Sequence, residues 1–217
     1  MIDNEFMRSF LLGLAEVVMQ DSDSLSRMDA DCGDGDFGVG MQLGFKNARR
    51  ALLESKNDDI GSFLKTAGQQ ILSSVGGASG PLFGTLFIEA GKAVAGKQEI
   101  DVMDLARMFD NSLEKIRLRG GASVGDKTLV DALAPAAMSL RRSAENGVDV
   151  SQALEMAAEA ARIGADSTRN LIAKHGKARY LGEQTLGCED PGAEVVRLIF
   201  ETLSNHYRIH TSPGQGA

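Results

Sequence analysis

Apolar residues recur at three- and four-residue intervals along nearly the whole of this chain, and nowhere do they alternate in the sustained manner of a strand. Over residues 5–20, Phe6, Phe10, Leu11, Leu14, Val17 and Val18 make one stripe. Met41, Phe45, Ala48 and Leu52 make a second, ending near Asn57. Phe63, Leu64, Ala67 and Ile71 make a third over residues 60–72. Further helices are predicted over residues 82–95, 101–118, 129–144 with a kink at Pro135, 150–174, and from Pro191 to about His206. About eight helices and no strands predict an all-α fold, an up-and-down antiparallel barrel or bundle. With 217 residues, 43% of them hydrophobic, and no linker composition, one domain over residues 1–210 is expected, with 211–217 a frayed tail.

The segments between these stripes are rich in glycine, and one of them carries unusual charge. Met28-Asp29-Ala30-Asp31-Cys32-Gly33-Asp34-Gly35-Asp36-Phe37-Gly38 places four carboxylates among three glycines, and reads as an irregular loop. Carboxylates so close repel unless a cation sits among them. Glycine lets the chain curl so that Asp29, Asp34 and Asp36 can face one centre. An EF-hand is excluded: counted from Asp29 or Asp34, the sixth position is Asp34 or Val39 where Gly is needed, and the twelfth is Gly40 or Phe45 where Glu is needed. Three aspartates with no further acidic ligand suit Mg²⁺, which keeps waters and takes phosphate oxygens.

A phosphate site is therefore sought elsewhere. Ser73-Ser74-Val75-Gly76-Gly77-Ala78-Ser79-Gly80-Pro81 opens into an apolar helix, with Ser79 its expected cap and Pro81 in its first turn. Such an approach exposes backbone N–H groups to an anion; close packing through Gly76, Gly77 and Gly80 is the structural alternative. Gly120 to Thr128 nearly spells a Walker A loop, but Asp126 intrudes before Lys127 and a helix precedes it where a strand is required. Residues 174–180 form a basic turn, and Asp190-Pro191-Gly192 caps the last helix. In an antiparallel bundle every second connection falls at one end. The four glycine-rich segments follow predicted helices one, three, five and seven, and so should gather there.

A formal charge of −7 with scattered Lys and Arg gives no basic face for nucleic acid or an anionic membrane. No run is long enough to span a membrane and the first residues are acidic, so a cytoplasmic chain is expected. Cys32 and Cys188 read as ordinary, unclustered reduced thiols, and His175, His206 and His210 as surface or packing residues away from the glycine-rich end.

These motifs, together with Gly125-Asp126-Lys127-Thr128 and Tyr180-Leu181-Gly182-Glu183, resemble the nucleotide-binding L subunit of dihydroxyacetone kinases and the matching domain of single-chain kinases, over nearly the whole chain. The resemblance implies a barrel of eight antiparallel helices with the nucleotide, ADP or ATP, at one end. It implies two Mg²⁺ ions on Asp29, Asp34 and Asp36. Phe37, Gly38, Val39, Gly40, Ala78 and Ser79 would cradle the phosphates, and Gly120, Leu129, Lys177, Asp190, Pro191 and Gly192 would line the nucleoside side. It implies a K subunit carrying the ketose, a phosphohistidine donor protein in one branch of the family, and leaves room for a homodimer. Phe37 stands where His is common, Gly40 where Asn or Thr is, and Lys177 where Arg is. Gly35 and Phe37 resemble the forms that exchange ATP. A kinase subunit for another ketose, or a module sensing nucleotide for a regulator, are the alternatives.

Overall fold

Asp3 opens the first helix by accepting the Phe6 N–H on its carboxylate at 2.8 Å, and the same device recurs along the chain. Asp59 accepts from Ser62, Asp149 from Gln152 and Asp190 from Ala193. Asp101 with Asp104, and Thr128 with Asp131, form reciprocal capping boxes. The structure, a computed structural model, describes residues 1–56 and 58–211. Among these residues the helices are α1 (Asn4–Gln20), α2 (Ser22–Cys32), α3 (Phe37–Glu54), α4 (Ile60–Ser74), α5 (Ser79–Ala93), α6 (Val102–Gly120), α7 (Leu129–Glu145), α8 (Val150–Ser167) and α9 (Pro191–Thr211). Asn57 and residues 212–217, at a predicted helix end and in the expected tail, lie outside the described residues.

Apart from α2, each helix packs on its predecessor, and α9 returns to α1, so α1 and α3 to α9 close a ring. The predicted all-α barrel is what forms. Leu14, Val18, Met41, Leu52, Ile71, Leu133 and Val196 are among the side chains fully buried in its interior. Two dipeptide strands, β1 (Ile2–Asp3) and β2 (Glu99–Ile100), pair antiparallel at the end away from the glycine-rich connections. They are too short to show in a periodicity, and their role is to plug the barrel with Ile2 and Ile100, both buried.

Four expectations change. Asp29 and Asp31 lie in α2, so the irregular part of the acidic segment is only 33–36. The eighth predicted helix is longer than expected, and Thr211, assigned to the tail, closes it with its hydroxyl on the Tyr207 carbonyl at 2.8 Å. The helix predicted to Lys174 stops at Ser167, and the chain continues through 3₁₀ turns at Thr168–Asn170 and Ala178–Thr185. Ser79 is not the cap of α5. Ala78 takes that position without a side-chain bond, which leaves Ser79, Gly80 and Pro81 as the first turn.

A close seam joins α4 and α5 through two glycine pairs. A Cβ on Gly61 would sit 2.6 Å from the Gly91 carbonyl, and one on Gly68 would sit 2.9 Å from the Gly84 carbonyl. The pairing of the first with the last and the second with the third shows the two helices to be antiparallel. Gly68→Ala is expected to lower unfolding free energy by about 1–3 kcal/mol through overpacking. In Gly13→Ala, where nothing lies within 4 Å of an added Cβ, relief of backbone entropy should raise it by about 0.5–1 kcal/mol. Urea denaturation of both variants checks the pair of signs.

Candidate metal and nucleotide site

Ring parity puts the N-termini of α3, α5, α7 and α9 at the same end, and the connections before them wall one cleft of about 790 Å³. Helix N-termini carry partial positive charge and backbone donors that their own hydrogen-bond ladders do not use. The ends of α7 and α9 are capped by Thr128 and Asp190, whereas α3 and α5 have no side-chain cap. In α3 the first helical bond runs from the Gly40 N–H to the Asp36 carbonyl, and in α5 from the Leu82 N–H to the Ala78 carbonyl. The N–H groups of Val39 and Ser79, both on the cleft wall, precede those bonds and suit an anion there.

Facing these helix ends, Asp29, Asp34 and Asp36 each bring one carboxylate oxygen to within 4.8 Å of the others. Asp29 is held from a helix, and its second oxygen accepts the Phe37 N–H at 3.1 Å, which fixes the start of α3 to the end of α2. Gly35 turns through a φ of 77°, a conformation glycine adopts without strain, and this brings Asp34 and Asp36 back toward Asp29. Burial, and then the charges of Asp34 and Asp36, raise the Asp29 carboxyl above its ordinary value. Lys177 answers that repulsion: its ammonium pairs with Asp34 and lies 3.2 Å from Asp36, holding the Asp34 carboxyl below its usual range. The Lys177 ammonium thus offsets charge on two of the three converging carboxylates.

All the other nucleotide-site residues expected from the sequence also lie on the cleft wall, except Gly38. Gly38 turns toward α2 instead, where a Cβ would collide with the Ser22 carbonyl. His175, expected away from this end, is on the wall too, with Nε2 3.4 Å from Asp126. The His206 and His210 rings lie 4.5 Å apart, tilted to one another, and meet Phe6 edge to face near the start of α1, at the opposite end.

The near-Walker segment carries the supports of this wall. Asp126 accepts the Ser123 N–H at 2.7 Å and the Lys174 ammonium at 2.7 Å, tying the basic turn to the α6–α7 connection. Asp131, buried in the first turn of α7, accepts from Gly125 at 2.6 Å and Thr128 at 2.8 Å. Lys127 is only 3% exposed, has a φ of 58°, and donates to the Thr168 carbonyl at 2.6 Å and to the Cys188 carbonyl. Its burial lowers its pKa. The sequence marked this lysine only as a loop residue, and a Gly-Asp-Lys-Thr string offers no sign that the chain folds back over it.

The DAK2 domain profile matches residues 31–205. The chain belongs to the DAK2 domain family. Within this family it is 39% identical to the protein named "PEP-dependent dihydroxyacetone kinase, ADP-binding subunit DhaL" of Escherichia coli, over 90% of this chain and 93% of that one. It is 36% identical to the ADP-binding subunit DhaL of PEP-dependent dihydroxyacetone kinase 2 of Listeria innocua, over 93% of this chain and 96% of that one. Among solved structures, the dihydroxyacetone kinase of C. freundii in complex with AMP-PNP and Mg²⁺ is similar at a TM-score of 0.71 and 26% identity. The match covers 93% of this chain and 34% of that one. Among the described residues no helix is long and apolar enough to cross a membrane.

Asp190 gives the cleft a titration of its own. It is half-buried in the wall, and desolvation there pushes its carboxyl up to about 7 against the opposing effects of the Ala193 N–H and the Lys127 charge. The folded state therefore holds this proton more tightly than the unfolded chain, and stability falls as pH rises from the ordinary 3.8 toward about 7. Asparagine keeps the cap and removes the charge. In the nucleotide-free protein, Asp190→Asn should gain on the wild type by about 2–4 kcal/mol between about pH 5 and about pH 8. Thermal unfolding across that range checks this, and a constant difference would contradict it.

Proposed function

We propose that this chain is the nucleotide-binding subunit of a dihydroxyacetone kinase, passing a phosphoryl group from a nucleotide in its cleft to a hydroxyl of a ketose held by a partner K subunit. The observation that carries this reading is one cleft that holds three converging carboxylates at the start of α3 together with the N-terminus of α5, neither helix capped by its own N-cap side chain. Acidic ligands alone suit a cation and helix ends alone suit an anion; side by side they suit a metal–phosphate unit.

Asp29, Asp34 and Asp36 would hold Mg²⁺, two ions in our reading, whose contribution is to neutralise charge on the phosphate oxygens. The backbone donors of α3 and α5 orient the phosphate chain. Lys177 would be the cation nearest the phosphates, and Leu129 and the 190–192 corner would line the nucleoside side. The residues act by positioning and by preorganised charge, which is what phosphoryl transfer demands of a protein. Asp34→Ala should abolish Mg²⁺-dependent ADP binding in a calorimetric titration and leave the far-ultraviolet helical signal unchanged.

Two modes of use differ in whether the nucleotide leaves. Gly35 and Phe37 resemble the exchanging form. The relatives at 39% and 36% identity are free-standing subunits named ADP-binding and PEP-dependent, matched over nearly their whole length. This second observation weighs more, because it concerns the whole chain. We therefore place the protein in the retained-coenzyme class, with ADP recharged in the cleft by a phosphohistidine donor. Relatives named as erythrulose kinases, 34% and 33% identical, are matched over only about a third of their length, in keeping with ketose choice belonging to the partner. Protein purified without added nucleotide, desalted in Mg²⁺ and denatured, should release close to one ADP per chain. An empty protein that binds ATP reversibly would favour the exchanging mode, and failure to bind either nucleotide would refute the reading.

A further inference from the structure

Cys32 and Cys188 are far apart in the sequence, but the structure sets them side by side. Cys32 is the last residue of α2, buried, and part of the cleft wall three residues after Asp29. Burial, and then the neighbouring Cys188 thiol, push the Cys32 thiol up to about 12. Cys32 Sγ also faces the Thr185 carbonyl at 3.9 Å and Cys188 Sγ faces the Asp31 carbonyl at 4.0 Å. Bonds from sulfur at such distances are weak, so neither thiol is committed to another strong partner. Cys188 is half-buried and within reach of solvent. It precedes Glu189 and Asp190, and its carbonyl receives the Lys127 ammonium. The two sulfurs therefore join the segment that carries the acidic cluster to the corner that opens α9.

We propose that Cys32 and Cys188 form a reversible disulfide that disables the cleft for metal–nucleotide binding, with a peroxide as oxidant. The more accessible Cys188, as thiolate, attacks a hydrogen peroxide oxygen; the S–O bond forms, the O–O bond breaks, and hydroxide leaves to become water. Cys32 then attacks the Cys188 sulfenic sulfur; the S–S bond forms, the S–O bond breaks, and the hydroxyl departs as water with the Cys32 proton. The two sulfurs together lose two electrons and peroxide is reduced to two waters. A dithiol restores both thiols by exchange. Shortening a thiol contact to a bond of about 2.05 Å draws the end of α2 toward the corner before α9. Asp34 and Asp36 follow directly on that end, so their convergence with Asp29 is lost. By linkage, bound metal and nucleotide oppose formation of the bond.

The consequence for binding rests on the nucleotide reading above; the bond itself does not. The test treats the full chain with hydrogen peroxide, maps disulfides by mass spectrometry of a non-reduced digest, and titrates Mg²⁺–ADP. A Cys32–Cys188 crosslink, affinity reduced by about tenfold or more and recovery with dithiothreitol are expected. Cys188→Ser should bind Mg²⁺–ADP as the reduced wild type does and ignore peroxide. Thiols that stay free, oxidation to sulfinic acid without a crosslink, or a crosslink with unchanged affinity would each overturn the proposal. If the reduced wild type fails to bind Mg²⁺–ADP, the nucleotide reading falls and the regulatory half of this proposal with it. A missing crosslink in protein that does bind Mg²⁺–ADP overturns the disulfide alone.

Discussion

Three carboxylates held within 4.8 Å of one another repel, and much of the cleft end is organised around tolerating that repulsion. Asp29 is set rigidly by α2 and by the Phe37 N–H, so the relief has to come from the other two. Gly35 supplies the turn that aims them, and Lys177, arriving from a segment remote in sequence, supplies the opposing charge. A lysine here is a tethered counter-ion: it stabilises the cluster while leaving it open to a competitor of higher charge. The positive ends of α3 and α5 open onto the same cleft, so the site presents complementary fields to a cation and an anion at once.

That arrangement depends on packing some distance away. The glycine pairs between α4 and α5 let two backbones approach closely, and this seam carries the connection that begins α5 at the cleft. On the other wall, a buried ammonium and a buried carboxylate substitute for regular structure. Lys127 joins the α6–α7 connection to the chain before α9, and Asp131 holds the rest of that connection onto α7. Backbone carbonyls deprived of the Lys127 ammonium in a buried place would each cost about 1–3 kcal/mol. The left-handed φ of Lys127 is a smaller cost of the same design.

Helix periodicity, and the counting of connections in an up-and-down ring, were enough to bring residues from four separate segments to one cleft. Both are local or combinatorial properties, so they survive without knowledge of contacts. The stretch around α2 was misread for a definable reason. Of its residues only Ser22, Leu25 and Cys32 are buried, which leaves no apolar stripe to see. Gly38 lets α3 press against it, where a Cβ would collide with the Ser22 carbonyl. His175 follows the seventh predicted helix and stands two residues before Lys177, so the count of connections itself puts it at the cleft end, where the structure has it.

By itself the sequence determined the fold class, the positions of most helices and the identity of the three aspartates. These follow from the spacing of apolar side chains and from the chemistry of crowded acidic groups. Tertiary structure alone decided which cation answers those aspartates, that Lys127 lies under the cleft, that Gly38 faces α2, and that Cys32 touches Cys188. Each of these is a contact between segments far apart along the chain. The type of a residue states what it can bond to, and only the closed ring states what comes within reach.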